Sequence, residues 1–389
     1  MSQIPRLAMP PPLALYIHIP WCVKKCPYCD FNSHEYKDTQ NFSDLESIYV
    51  NALIKDLEFS LPKIWGRKIH SIFFGGGTPS LFSGKAIQKI LGNVRALTPI
   101  LYDAEITLEA NPGTIDTNHF ESYKEAGVTR VSLGIQSFND EHLKSLGRIH
   151  NSLDAKKGIE IAMQHFNEVN LDLMYALPHQ TLDEAISDAK TAVSFNTKHL
   201  SFYHLTIEPN TFFFKHPPKL PLDDESAVMQ ETIEAILSEH GYKHYETSAF
   251  AKPKSECQHN LNYWQFGDYL GIGAGAHSKL TFHDKISRES RYKNPKQYIE
   301  KVNTQNMIES ETNVQEKDLA FEFMMNQLRL IDGFTIQSFE EKTGLNISAI
   351  NNELKIATNK KLISIDDEII KPTLLGQRFL NDLLSIFLK

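Results

Sequence analysis

The chain has 389 residues and carries 40 Lys+Arg against 48 Asp+Glu, a formal net charge of −8. Its 41 % hydrophobic and 23 % charged residues are ordinary globular usage, which excludes a disordered, fibrous or collagen-like chain. No run approaches the roughly 18 apolar residues of a membrane span, and the acidic balance gives no electrostatic footprint for nucleic acid.

Met1 to Pro12 holds four prolines, one charge at Arg6 and no continuous apolar stretch, so it does not read as a signal peptide. A soluble, cytoplasmic protein is expected. From Leu13 to about Leu205, short β-branched and aromatic runs alternate with helical patterns. The strand-like runs are Leu13–Ile19, Ile69–Phe74, Glu105–Glu109, Thr129–Ile135, Asn170–Met174 and Leu200–Leu205, several of them near-continuously apolar as in buried parallel strands. Between them, Leu45, Tyr49, Leu53 and Leu57 form one helical stripe, and Thr181 with Glu184 reads as a capping box opening a helix to about Val193. Six β-then-α units predict an α/β fold, a partial (β/α)6 TIM-like barrel. Polar and glycine-rich residues cluster just after the strands, where such barrels keep their chemistry.

Asp223 or Asp224 can cap a helix running to His240, with Gly241 as its stop. A strand-like Tyr242–Thr247 and the segment Cys257–Ser278 follow, then a helical stretch after Lys296. The passage Asn303–Asn313 is polar and aromatic-poor, so the domains are read as 1–305 and 306–389. The second, with helical patterns around Gly333 and Gly344 and a Lys361–Ile370 strand pair broken at Asp366-Asp367, predicts a winged-helix-like α+β domain. Residues 311–389 carry 9 Lys+Arg against 12 Asp+Glu, which argues against DNA binding. The final Phe379, Leu380, Leu383, Leu384, Phe387 and Leu388 read as the core-facing stripe of one helix.

Four cysteines cannot build a disulfide framework, and their placement is lopsided: Cys22, Cys26 and Cys29 fall within eight residues, Cys257 stands alone. Three thiolates in one loop after the first strand suit a cubane iron–sulfur cluster with one iron left open. Two other readings compete with it. A structural zinc site needs a fourth ligand such as His18 or His34, and Cys26-Pro27-Tyr28-Cys29 alone can be a dithiol redox motif. Gly75-Gly76-Gly77-Thr78-Pro79-Ser80 follows the second strand; glycines admit a ligand close to the backbone, and the spacing is not that of a P-loop.

The C-x3-C-x2-C spacing after Tyr16-Ile-His-Ile-Pro20 resembles the radical S-adenosylmethionine (SAM) superfamily, and within it the HemN/HemW family of oxygen-independent coproporphyrinogen III dehydrogenases and their heme-chaperone relatives. The resemblance covers essentially the whole chain. It implies a 4Fe–4S cluster on Cys22, Cys26 and Cys29, and SAM held by Gly76, Gly77 and Thr78 with Glu109, Gln136, Arg148 and Asp172; Tyr16 and Gly271-Ile-Gly-Ala-Gly-Ala-His277 correspond to SAM-proximal segments. Arginine offers a fork for the methionyl carboxylate, while carboxylates and amides suit ribose hydroxyls.

Two departures weaken the dehydrogenase reading. Cys29-Asp30-Phe31 lacks the further C-x-C cysteine, and the first strand begins near residue 13, where the dehydrogenases carry a long extension. His259-Asn260-Leu261-Asn262-Tyr263-Trp264 matches the H-N-x-x-Y-W motif of the chaperone branch, which implies heme at His259, Tyr263 and Trp264. An imidazole can ligate iron, and the aromatic pair can line a flat ring. Cys257 stays open as an alternative thiolate ligand. The expected function is a heme chaperone delivering heme to client respiratory proteins, without an integral membrane segment or nucleic-acid partner. The alternative is radical decarboxylation of coproporphyrinogen III, and a third class is an interaction module built on the winged helix. Whether SAM is cleaved, which would require an electron donor, is left open; a homodimer and transient membrane contact are compatible with this reading.

Overall fold

The computed structural model describes residues 10–37, 41–64, 66–114 and 117–388; the stretch before residue 10 that was read for a signal peptide lies outside them. Among the described residues, seven strands of the main sheet run parallel. Six follow the expected alternation: β1 (Leu13–Ile19), β2 (Ile69–Gly76), β3 (Ile100–Ala110), β4 (Arg130–Gln136), β5 (Glu168–Tyr175) and β6 (His199–His204). Then come β7 (Lys243–Glu246), β8 (Ala249–Ala251), β9 (Asp268–Ile272), β10 (His277–Thr281), β11 (Ile286–Arg291) and β12 (Ile308–Asn313). The sheet order is β12-β11-β10-β9-β1-β2-β3-β4-β5-β6-β8-β7. The seventh parallel strand is β9, which pairs with β1 in register Leu13↔Asp268 to Ile17↔Ile272; the flanking strands are antiparallel.

Each of the six strands is followed by a crossover helix, as βαβ chirality and burial demand. These helices are Phe42–Ile64, Gly84–Leu97, Thr117–Ala126, Ser152–His165, Leu182–Ser194 and Asp223–Glu239. The Thr181 cap stands as expected, its side chain and that of Glu184 exchanging hydrogen bonds with each other's backbone N–H. The cap of the last helix differs. Asp223 is already helical, Leu222 takes the cap position, and Glu225 reaches back to its N–H at 2.8 Å.

The strands are apolar on one face only. Leu15 and Ile17, Ile72 and Phe74, Ile106 and Leu108, Val131 and Leu133, Leu171 and Leu173, Leu200 and Phe202 point outward into the helices and form the main core. At roughly 1.5–3 kcal/mol per buried large side chain, this shell holds the barrel together. The alternate residues, among them Thr107, Ser132, Asn170 and Ser201, point inward and line a cavity. Strands that read as near-continuously apolar therefore have a polar inner row.

The C-terminal part has its own three-stranded antiparallel sheet of β13 (Phe334–Thr335), β14 (Ile363–Asp366) and β15 (Ile369–Pro372), in order β13-β15-β14, with helices Glu316–Gln327, Ile336–Thr343 and Asn351–Asn359. Asp367 and Glu368, both at positive φ, make the hairpin turn. Phe323, Phe339, Leu354 and Ile370 centre its core, joined by Ile286 from the larger sheet and by Phe266 from the turn before β9. The expected single terminal helix is two, Leu374–Arg378 and Leu380–Ser385, broken at Phe379 (φ −112°, ψ 45°). Leu383 and Phe387 face the core, while Phe379 and Leu388 are exposed.

Candidate functional site

The C-terminal ends of the parallel strands surround one opening. The loop after β1 carries Cys22, Cys26 and Cys29, all half-buried and unbonded to one another. It is stapled by the Cys29 N–H to the Cys26 carbonyl (3.2 Å) and by pairing of Trp21–Cys22 with His34–Glu35. Burial raises the thiol pKa of Cys22 and of Cys29, which favours the protonated thiol in each. Arg148 Nη1 points at Cys26 Sγ (3.7 Å), and Ser33 Oγ lies 3.6 Å from Cys29 Sγ.

Among the described residues, no three His, Cys, Asp or Glu side chains are arranged to hold a single metal ion. The histidines offered as a fourth zinc ligand are engaged elsewhere. His18 Nε2 donates to the Asn32 carbonyl (2.9 Å) and Nδ1 accepts from the Tyr16 hydroxyl (3.0 Å), while His34 Nε2 meets Asn32 Oδ1 (3.2 Å). Three thiols separated around one loop, one per iron, fit a cubane better than a closed tetrahedral site.

The glycine run is required by the protein's own packing. Gly77 N–H donates to the Ile19 carbonyl (2.7 Å) and Thr78 N–H to that of Trp21 (2.8 Å), pinning the motif against the cysteine loop. Gly76 sits at φ +116°, and a Cβ there would lie 2.5 Å from the His18 ring. Beside it, Gly76 N–H donates to Glu109 Oε2 (3.2 Å). Burial and the neighbouring Asp172 push the Glu109 carboxyl up to about 8. Asp172, also raised by burial, accepts from Ser132 Oγ (2.6 Å) and Asn170 Nδ2 (2.8 Å). Gln136 ends β4 at φ +68°, and Arg148 Nη2 donates to the Gly134 carbonyl (2.7 Å) while its buried Nε has no partner. Cys22, Cys26, Cys29, Gly76, Gly77, Thr78, Glu109, Gln136, Arg148 and Asp172 all line one lobe of about 440 Å³.

That lobe is continuous with an inner chamber of about 880 Å³, the two sharing Cys29, Gly76, Glu109, Ser132 and Asp172. Both volumes fall in the range of small-molecule sites, about 300–1,000 Å³. His259 and Tyr263 line the inner chamber, and so does Tyr16, which was expected among the SAM contacts but does not line the outer lobe. Helix Gln258–Trp264 presents His259, 1 % exposed, stacked on Phe73 at 4.9 Å. Its Nδ1 meets Ser71 Oγ (3.0 Å) and its Nε2 the Tyr263 hydroxyl (3.1 Å). Burial, with His70 adding, pushes this imidazole down to about 3, so it is neutral. Trp264 is not brought here: its ring lies under Arg329 at 4.8 Å, facing the C-terminal part. Cys257 does line the chamber, its thiol 3.4 Å from Glu105 Oε1, and burial with Glu105 raises its pKa.

Of the Gly271–His277 segment, Gly273 packs on the His18 carbonyl and Gly275 on Asn32, so their lack of a side chain serves the fold; Gly275 and His277 reach the chamber. Reading by motif missed Phe73, Thr107, Arg130, Asn170, His199, Ser201 and Tyr203, all on the chamber wall. Their signal is the two-residue spacing Arg130-x-Ser132-x-Gly134 and His199-x-Ser201-x-Tyr203 inside otherwise apolar strands.

A parallel barrel whose rim brings a C-x3-C-x2-C loop beside a glycine motif and an acidic and arginine-bearing wall defines the radical SAM class. The Radical SAM superfamily model matches residues 16–192, and the HemN C-terminal domain model matches residues 314–379. The chain is 48 % identical to the heme chaperone HemW of Haemophilus influenzae, over 97 % of this chain and 98 % of that one, and 47 % identical to that of Escherichia coli with the same coverage. Identity to the heme chaperone HemW of Bacillus subtilis is 33 %, over 96 % and 98 %. The chain belongs to the heme chaperone HemW family of the radical SAM superfamily. Its fold is that of the E. coli coproporphyrinogen III oxidase HemN, with TM-score 0.82 at 24 % identity over 97 % of this chain and 90 % of that one.

Proposed function

We propose that this protein is a cytoplasmic heme chaperone that holds a 4Fe–4S cluster on Cys22, Cys26 and Cys29, binds SAM in the outer lobe, receives heme in the inner chamber and passes it to a client protein. The observation that carries the reading is His259, a neutral imidazole on the wall of a chamber that opens onto the thiol loop. A neutral imidazole keeps a lone pair for iron, and coordination exchanges the Tyr263 hydroxyl for the metal. Tyr263 then packs beside the macrocycle, and Trp264 supports the helix from behind. The relatives named as heme chaperones support delivery to a client.

When bound, the cluster supplies single electrons and an open iron. The chain's own residues do the rest. Arg148 brings an idle Nε and a planar fork to the methionyl carboxylate. Gly76, Gly77 and Thr78 offer backbone to the methionyl ammonium, with Gln136 closing one side. Glu109 and Asp172 accept from ribose hydroxyls.

Heme titration of anaerobically reconstituted His259→Ala is expected to weaken binding about tenfold or more while the iron–sulfur absorbance stays. An unchanged titration removes His259 from the site. Incubation of the wild-type protein with SAM, reductant and coproporphyrinogen III is expected to leave the porphyrinogen intact; protoporphyrinogen formation would overturn the chaperone reading in favour of the decarboxylase.

A further inference from the structure

Interiors of barrels of this kind are ordinarily filled by layers of Val, Ile and Leu. Here the inner row is polar, and at its floor two groups have nothing to bond. Thr107 on β3 and Arg130 on β4 are direct partners in the parallel ladder, so their side chains stand next to each other on the chamber wall. They are 1 % and 2 % exposed. Arg130 Nη1 donates to the Ser255 carbonyl at 3.2 Å, and its Nη2 has no partner. Thr107 Oγ1 has none either.

The acids nearby pair with the guanidinium as charges but do not complete its hydrogen bonds. Glu105 and Glu168 stay 3.7 and 3.9 Å from Nη1, beyond hydrogen-bond reach. Glu105 Oε1 takes the Cys257 thiol and the His259 N–H (3.1 Å), and Glu168 Oε1 takes Lys198 (2.6 Å); the Oε2 of each faces Nη1 as a charge, and Nη2 stays without a hydrogen-bond partner. A buried guanidinium with an idle arm costs free energy unless something completes it. Its planar fork matches a carboxylate, and the adjacent hydroxyl adds a third donor.

We infer that Arg130 and Thr107 form a carboxylate subsite on the floor of the inner chamber, taking one acidic arm of the ligand whose centre faces His259. The inference rests on the heme reading and deepens it: the acidic arm is a heme propionate. The subsite therefore sets the orientation in which the macrocycle enters, acid first, with the iron beside Phe73 and His259.

The test compares heme with heme dimethyl ester, whose propionates are blocked, by absorbance titration into the anaerobically reconstituted full chain. The variants are Arg130→Met, Arg130→Lys and Thr107→Val. Wild type is expected to favour the free acid about tenfold to a hundredfold. Arg130→Met should bring the ratio near one, Arg130→Lys should keep part of it, and Thr107→Val should lower it severalfold. The acid-to-ester ratio separates a ligand contact from the structural bond to Ser255, whose loss would weaken both porphyrins alike. Equal binding of both by wild type, or an unchanged ratio in Arg130→Met, overturns the subsite while leaving the heme reading intact. If Arg130→Met fails to fold, an unchanged ratio in the near-isosteric Thr107→Val overturns it. Wild type that takes neither porphyrin overturns the heme reading and the subsite together.

Discussion

Glu109 shows how a ligand site is held at some expense to the fold. In the folded protein its carboxyl keeps a proton up to about pH 8, whereas an unperturbed glutamate loses it near 4.5. Between those values the folded state binds the extra proton, so stability falls as pH rises. Glu109→Gln should therefore raise Tm relative to wild type at pH 8.5 and leave it nearly unchanged at pH 4.5; equal Tm differences at both pH values would contradict this. Gly76→Ala should destabilise by about 2 kcal/mol or more, since it combines positive φ with a collision against a His18 ring held at both nitrogens. Urea denaturation checks it, and an unshifted midpoint would contradict the account. At this scale the residues that share the outer lobe with the thiol trio were legible because each belongs to a short contiguous motif. Trp264 was not placed correctly by its motif, because a helix of seven residues turns neighbours to different faces. Arg130 and Thr107 escaped because no motif marks them; only alternation within a strand does.

Strand bounds read from composition agree with the six barrel strands to within a few residues, because each run is flanked by turn or helix signals. The longest departure is β3, which starts at Ile100 with the exposed Leu101, Tyr102 and Asp103. The seventh parallel strand was not legible, since β9 joins β1 across some 250 residues and no local signal encodes a long-range pairing. Beside that pairing lies a buried polar knot. Asp56, fully buried on helix Phe42–Ile64, accepts from Arg291 Nε (3.0 Å), Tyr298 Oη (2.8 Å) and Gly273 N–H (3.1 Å), tying the helix to the β9–β11 flank. Asp56→Ala leaves Arg291 buried without its partner and should cost about 3–5 kcal/mol by urea denaturation. A loss under about 1 kcal/mol would show that the flank is held by apolar packing alone.

Across the whole molecule, the two cores are not independent. Ile286 of the large sheet and Phe266 of the turn before β9 pack in the C-terminal cluster, where Phe266 meets Phe323 edge-on at 5.6 Å. Arg378 reaches across to Glu234, Lys342 Nζ donates to the Gln265 carbonyl (2.6 Å), and Arg329 covers the Trp264 ring that follows Tyr263. A chain ending at residue 313 is thus expected to expose this apolar face and aggregate, read by light scattering; a monodisperse, cooperatively unfolding fragment would contradict the coupling. Among the described residues no helix is long and apolar enough to cross a membrane. Iron chemistry at the rim and porphyrin binding beneath it are both read by one assay: non-heme iron, sulfide and heme content of the anaerobically reconstituted chain, with and without added heme. About four non-heme irons and one heme per chain are expected, with Cys22→Ser/Cys26→Ser/Cys29→Ser losing the non-heme iron and sulfide. Full iron and sulfide content in that triple variant, or a wild-type chain that takes up neither, would contradict the account.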